Sequence, residues 1–209
     1  MNKLQKIWNY LTKPGFSRFL LSFMHNGYLL EIGWYDTYFK RESIDVNGDP
    51  IPWTTYSYIE FIKTYLQPGM LMFEYGTGNS TLFYAKYVNR LISVEHNENW
   101  YKKIKAELPD NCKLILNDVK SDAYICPNEL KENKFDVIVV DGRRRNDCVV
   151  KSERYLKESG IIILDDSERE YYTDGINYLK QKGYKKLDFW GISPMYFHNK
   201  CTTVFYKRL

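Results

Sequence analysis

Histidine and cysteine are scarce in this chain of 209 residues. The four cysteines, Cys112, Cys126, Cys148 and Cys201, include no Cys-x-x-Cys pair, and none lies beside a histidine at metal spacing. A zinc site and a disulfide framework are both unexpected, so the thiols read as reduced, in a cytoplasmic protein. The three histidines, His25, His96 and His198, are scattered. Long apolar runs are missing too, and nothing approaches the roughly 20 residues of a membrane span. Near the N-terminus, Phe19-Leu20-Leu21 lies between Arg18 and His25, too short a run for a secretory leader. Neither sign of charge dominates. Lys plus Arg is 30 against 26 for Asp plus Glu, a formal net charge of +4. Non-specific nucleic-acid binding usually shows a basic stripe, so no nucleic-acid partner is expected.

What is present centres on residues 70–81. Met70-Leu71-Met72-Phe73 is an apolar run, as in a buried strand. Gly76 and Gly78 then form a turn, and Ser80 opens an apolar-periodic segment as a helix cap. Strand, glycine turn and helix bring backbone N–H groups close to a ligand, because glycine has no Cβ to collide with it. A second apolar strand, residues 91–94, ends on Glu95. In nucleotide-binding α/β folds an acid there, about 20 residues past the glycines, accepts hydrogen bonds from ribose hydroxyls. The helix between the two strands, residues 80–88, is the crossover that parallel strands need.

Further units follow. A helix over 98–108 is stopped by Pro109, and a third strand, 113–117, closes on Asp118. Residues 121–134 read as a polar connection. Residues 135–140, Phe-Asp-Val-Ile-Val-Val, form a strand buried on both faces, as in a parallel sheet covered by helices. It ends on Asp141-Gly142 and the run Arg143-Arg144-Arg145, ahead of a helix over 146–158. Arginines oppose a helix dipole at that position and favour anions there, so the run, Arg143 and Arg144 with Arg145, either holds an acidic or phosphorylated substrate or is a solvated turn. A fifth strand, 161–164, ends on Asp165-Asp166, and a helix over 172–181 follows. Residues 186–190 and 202–206 are strands, with 191–200 a loop between them. No crossover helix fits in that loop, so the last pair is antiparallel.

Ahead of this unit, Leu4, Ile7, Trp8 and Leu11 share one helical face, and Phe16, Phe19, Leu20, Phe23 and Met24 share a second beyond Pro14-Gly15. Two readings stay open for these helices: packing on the domain or on a second copy in a homo-oligomer, and peripheral membrane contact. Residues 34–41 are aromatic and irregular, and 45–52 form a turn-rich loop. A helix over 57–65 precedes the glycine strand. The chain divides into an extension, 1–52, and a domain, 53–209.

The third position of the dinucleotide fingerprint is Thr81 rather than glycine. An acid two residues before the first glycine, in Phe73-Glu74-Tyr75-Gly76-Thr77-Gly78-Asn79-Ser80, resembles motif I of the class I S-adenosylmethionine-dependent methyltransferases. Ser93-Val94-Glu95-His96, Val140-Asp141-Gly142-Arg143 and Leu164-Asp165-Asp166-Ser167 extend the resemblance across roughly 53–209. It is similar to a bacterial group whose substrates are mostly unassigned.

The resemblance implies an α/β Rossmann-like, doubly wound, seven-stranded sheet with an antiparallel last strand, and S-adenosylmethionine as cofactor. Glu74, Gly76, Thr77, Gly78, Asn79 and Ser80 would hold its methionine end, Glu95 with His96 its ribose, and Asp118 its adenine, with Asp141 beside the reacting centre. A more distant similarity is to the metal-dependent catechol and caffeoyl-coenzyme A O-methyltransferases. It would make Asp141, Asp165 and Asp166 ligands of magnesium. Asp166 replaces an asparagine of that pattern and Gly142 lacks an acidic companion, which weighs against the metal. Without metal, Asp141 or Asp165 is the candidate catalytic base, with Asp166 near the substrate. The expected reaction is methylation of a small-molecule or sugar hydroxyl. The alternatives are a nicotinamide-dependent oxidoreductase, which calls for a third glycine and a parallel last strand, and a non-catalytic binding module.

Overall fold

The computed structural model describes residues 2–208; the Met24 side chain, expected on the second apolar face, lies outside the described residues, as does Leu209. Four helices come first: α1 (Lys3–Leu11), α2 (Phe16–His25), α3 (Tyr28–Glu31) and α4 (Trp34–Lys40). Then follow α5 (Tyr56–Tyr65), β1 (Leu71–Tyr75), α6 (Asn79–Ala85), β2 (Arg90–Glu95), α7 (Glu98–Lys105) and β3 (Cys112–Leu116). The short α8 (Asp122–Ile125) and α9 (Asn128–Lys131) lead to β4 (Phe135–Val140) and α10 (Arg145–Ser152). The chain closes with β5 (Leu156–Asp165), α11 (Thr173–Gln181), β6 (Lys185–Ser193) and β7 (Tyr196–Tyr206).

The seven strands form one sheet in the order β3-β2-β1-β4-β5-β7-β6. β1 pairs in parallel with β2 on one side and β4 on the other. The strand order therefore reverses between β1 and β4, the point where ligands of open α/β sheets bind. β7 runs antiparallel to β5 and β6, as expected, which departs from an all-parallel dehydrogenase sheet.

Alternation along β1 explains the two-sided core. Phe73 and Tyr75 pack on one face with Tyr124, Cys148 and Leu179 from α8, α10 and α11. Met72 points to the other face, towards Ile59 and Ile62 of α5, Phe83 and Tyr84 of α6, and Trp34. Glu74 shares that second face by the two-residue period of a strand. This places a carboxylate directly under the start of α6.

Several expected boundaries move. Of the segment 34–41, expected to be irregular, Trp34–Lys40 is helical, and tertiary contacts make it so. Gly33 has φ +73°, and a Cβ there would stand 2.5 Å from the Val46 nitrogen. Trp34 is buried, with its indole N–H donating to the Ser193 carbonyl at 3.1 Å. Thr37 Oγ1 accepts from the Met195 N–H at 3.0 Å. The expected loop over 191–200 is mostly strand: Ser193 pairs with Tyr196, so the turn is Pro194-Met195, with Met195 at φ +68°. The helix over 146–158 ends at Ser152, and β5 begins at Leu156, bulged where it meets Phe135 and Val137. The polar connection contains α8 and α9, whose Tyr124 and Leu130 are fully buried. No residue of α1 is buried, and Phe19 and Leu20 of α2 are exposed. None of the described helices is long and apolar enough to cross a membrane.

Candidate active site

A cleft of about 1210 Å³ opens at the carboxyl ends of β1, β2, β4 and β5. Its first wall is the glycine turn. Gly76 has φ +95°, and a Cβ on it would meet Gly142 at 3.3 Å. A Cβ on Gly142 would come within 2.2 Å of the Tyr124 hydroxyl. The loops after β1 and β4 thus pass backbone against backbone. Ser93 Oγ donates to the Gly76 carbonyl at 2.6 Å, and the Gly76 N–H donates to the Val94 carbonyl at 2.9 Å.

Glu74 braces this turn from below. Its two carboxylate oxygens each accept a hydroxyl at 2.5 Å, one from Ser80 and one from Thr81. Thr81 Oγ1 in turn accepts from the Gly78 N–H at 3.1 Å. The threonine that replaces a third glycine thus ties the loop to the acid beneath it. Burial pushes the Glu74 carboxyl up to about 7, against the pull of the Ser80, Thr81 and Ser93 hydroxyls. Asn79 Nδ2 donates to the Ser43 carbonyl at 2.7 Å, fastening the turn to the segment after α4.

Glu95 ends β2 and is buried at the cleft edge. Its Oε1 accepts from the backbone N–H groups of His96 and Asn97 at 2.8 and 2.7 Å. His96 Nδ1 lies 2.9 Å from the same oxygen without hydrogen-bond alignment. Asn97 caps α7 by accepting from the Trp100 N–H at 2.9 Å. The Trp100 ring then covers Gly78, 3.5 Å from where a Cβ would stand, and its indole donates to the Thr77 carbonyl.

The floor is ionic. Arg145 Nη2 donates to Asp141 Oδ1 at 2.9 Å, and Arg145 Nη1 stands 3.1 Å from Asp166 Oδ2. Lys200 Nζ lies 2.6 Å from Asp165 Oδ2 and 2.9 Å from Asp166 Oδ1. Thr202 Oγ1 donates to Asp165 Oδ1 at 2.7 Å, a contact aligned by the register of β5 on β7. Arg169 reaches Asp166 at 3.0 Å from the rim. Burial, then the Asp165 charge, raise Asp141 to about 8, although Arg145 and Lys200 oppose them. Burial also acts to raise Asp166, but Lys200, Arg145 and Arg169 outweigh it and hold that carboxyl below its usual range.

These partners decide the fit of a divalent metal. Magnesium needs free carboxylate oxygens. Here Asp141, Asp165 and Asp166 all carry Lys200 or Arg145 as counter-ion, so the trio does not offer an open oxygen set. Among the described residues, no group of three His, Cys, Asp or Glu side chains is placed to hold a metal ion.

Of the residues singled out from the sequence, Glu74, Gly76, Thr77, Gly78, Asn79, Ser80, Glu95, His96, Asp141, Arg143, Asp165 and Asp166 line this cleft together. Asp118 does not: it is exposed and accepts from the Lys120 N–H at 2.9 Å within its own turn. Nor does Arg144, whose Nε pairs with Asp147 at 2.9 Å and whose Nη1 donates to the carbonyls of Val119 and Ser121. Arg145, the third arginine of the run, lines the cleft as well, while Lys200 and Trp100 line it but were not legible as site residues. Arg145 turns inward to Asp141, four residues back, rather than outward to an anion. Lys200 has no local signal, because strand pairing brings it in.

No family model matches the chain, and no curated protein matches it in sequence. Solved structures do match in fold. A precorrin-6y C5,15-methyltransferase from Geobacter metallireducens is 17% identical, with TM-score 0.54, over 71% of this chain and 87% of that one. An rRNA methylase from Streptococcus thermophilus is 14% identical, with TM-score 0.54, over 70% and 92%. A putative methyltransferase from Streptococcus mutans, in complex with SAH, is 12% identical, with TM-score 0.52, over 70% and 94%. The rRNA methylase overturns the expectation that excluded a nucleic-acid partner. Net charge over the whole chain was the wrong measure, since the cleft rim itself carries Lys40, Arg41, Lys103, Arg143 and Arg169.

Proposed function

We propose that this chain, which has the fold of the class I S-adenosylmethionine-dependent methyltransferases, binds S-adenosylmethionine and transfers its methyl group to a hydroxyl oxygen, as of a small molecule or sugar. One observation carries the reading. The glycine turn braced by Glu74, the Glu95 carboxylate and Asp141 converge on one cleft at the switch point of the sheet. Gly76 and Gly142 let the loops after β1 and β4 pass backbone against backbone beneath the cleft, and Trp100 forms an apolar wall beside Gly78. In this reading the Glu95 carboxylate accepts from the ribose hydroxyls.

Bound there, the sulfonium supplies a methyl group already activated towards nucleophiles. The protein then has to align an incoming oxygen and exclude water, which is a matter of positioning. Asp141 is the group that takes the acceptor's proton. Burial raises its carboxyl to about 8, in the range where a general base is effective near neutral pH. Arg145 holds the Asp141 carboxylate in place through Oδ1. Arg143, at the mouth, supplies a cation for an acidic acceptor.

Calorimetry with S-adenosylhomocysteine tests the cofactor. Micromolar affinity is the expected result, and binding of a reduced nicotinamide cofactor instead would overturn the reading. A screen of hydroxyl acceptors and RNA with radiolabelled methyl donor tests the acceptor. Label found only in RNA would remove the small-molecule assignment.

A further inference from the structure

Lys200 is a buried lysine whose side chain is only 8% exposed at the floor of a cleft. A buried ammonium is costly unless each of its donors is satisfied and its charge is matched. Here both conditions are met. Its Nζ faces Asp165 Oδ2 at 2.6 Å, Asp166 Oδ1 at 2.9 Å and the Trp53 carbonyl at 3.1 Å. An ammonium has three protons, so no donor is left for a substrate. Lys200 therefore acts on other groups rather than on an acceptor.

Its partners lie on three separate pieces of chain. Asp165 and Asp166 are at the end of β5, Lys200 is on β7, and Trp53 precedes α5. The Trp53 indole donates to the Pro194 carbonyl at 2.9 Å, and its ring stacks on Tyr196 with centroids 5.3 Å apart. The lysine thus joins the acidic floor to the aromatic side of the cleft. Two carboxylate oxygens and one carbonyl oxygen around one positive charge is also the oxygen-rich environment a hard divalent cation takes.

We propose that Lys200 is the built-in cation of this cleft: its ammonium takes the seat among Asp165, Asp166 and the Trp53 carbonyl that a divalent ion would otherwise fill, and from there it positions the floor carboxylates. Its part in methyl transfer rests on the function proposed above, but the seat itself does not. A lysine cannot dissociate as a metal can, so the floor keeps its charge balance whatever the supply of divalent ions. Asp141 is part of the same balance: it pairs with Arg145 of α10 and feels the charges of Asp165, Asp166 and Lys200.

The test uses the full chain and Mn²⁺ as probe, followed by calorimetry and electron paramagnetic resonance. The wild type is expected to show no specific Mn²⁺ site. Lys200→Met should create one, with affinity gained by about tenfold or more, because it leaves the floor carboxylates short of a positive charge. Lys200→Arg keeps the charge and should create none. Carboxyl ¹³C resonances of labelled aspartate, with Asp141 assigned through Asp141→Asn, supply a readout that a merely structural lysine would not move. The Asp141 midpoint should rise in Lys200→Met and stay near the wild-type value in Lys200→Arg.

A wild-type Mn²⁺ site that Asp165→Asn abolishes would overturn the proposal, because the carboxylates would then prefer a metal to the lysine. That measurement needs no Lys200 variant to fold. Binding of S-adenosylhomocysteine to the wild type is measured in parallel. Its failure would sink methyl transfer while leaving the lysine seat to stand on the Mn²⁺ result.

Discussion

Arg145 reaches back four residues to Asp141, with Nη2 donating to Oδ1 at 2.9 Å, while its Nη1 faces Asp166 at 3.1 Å. One guanidinium therefore serves the ends of two neighbouring strands. Arg145→Gln should cost about 2–3 kcal/mol of stability at neutral pH, below the full cost of breaking a buried pair, because Asp166 keeps Lys200 and Arg169 and Asp141 can take up a proton. Urea unfolding measures this. Arg145→Lys should recover only part of the loss, since a point charge cannot span both acids as a planar fork does. A loss below ~1 kcal/mol for Arg145→Gln would show that the floor is solvated rather than paired.

Glu95 offers a cleaner test of ligand binding than of folding. Its replacement by alanine should lower S-adenosylhomocysteine affinity by about 1.5–3 kcal/mol, the value of a charged hydrogen bond. Glu95→Gln keeps an acceptor for the His96 and Asn97 N–H groups, and so separates loss of the ligand contact from loosening of the loop. Equal affinity in the wild type and Glu95→Ala would place the ribose elsewhere.

The two glycines of the turn have different tasks. Gly76 needs its positive φ and its closeness to Gly142. Gly76→Ala should destabilise the fold by about 1–3 kcal/mol. Gly78 has no positive-φ requirement, and an added Cβ would meet only the Trp100 ring at 3.5 Å. Gly78→Ala should keep a near-native melting temperature. Similar unfolding of both variants would contradict this division.

Glu74 makes stability depend on pH in an uncommon direction for an acid. Burial raises its carboxyl from 4.5 to about 7 in the folded state. Between those values the folded chain holds a proton that the unfolded chain has released. Its contribution is therefore fully present below pH 4.5 and is lost as pH rises through 7. The swing is on the order of 3 kcal/mol, at ~1.4 kcal/mol per pH unit. Glu74→Gln lacks this titration, so its stability relative to the wild type should climb across that window in urea melts. A flat difference would mean that the Ser80 and Thr81 hydroxyls keep the acid ionised throughout.

Much of the site was legible because its signals are local. Apolar strands, the Gly76 and Gly78 turn, and acids at strand ends all report on a few consecutive residues, and the crossover rule then sets neighbouring strands parallel. The parts not legible depend on distant partners. Residues 34–40 have no helical pattern strong enough to read, yet they fold as α4 because Trp34 and Thr37 dock on the β6–β7 turn. That turn is tight in part because α4 holds the Met195 N–H. Asp118 and Arg144 looked like site residues from their places at a strand end and in an arginine run. Their hydrogen bonds lie in the loops beside the cleft instead.

The order of hydrophobic and glycine-bearing segments alone pointed to parallel strands joined by crossover helices, with a glycine turn at their carboxyl edge. It also placed acids at the strand ends, since strand periodicity and strand ends are properties of the chain taken in sequence, although Asp118 among them lies outside the cleft. Only the tertiary structure decided what those acids face. The antiparallel register of β7 on β5 carries Lys200 and Thr202 to Asp165 and Asp166. Charge balance in a low-dielectric floor depends on contacts across the sheet, and no spacing along the chain encodes them.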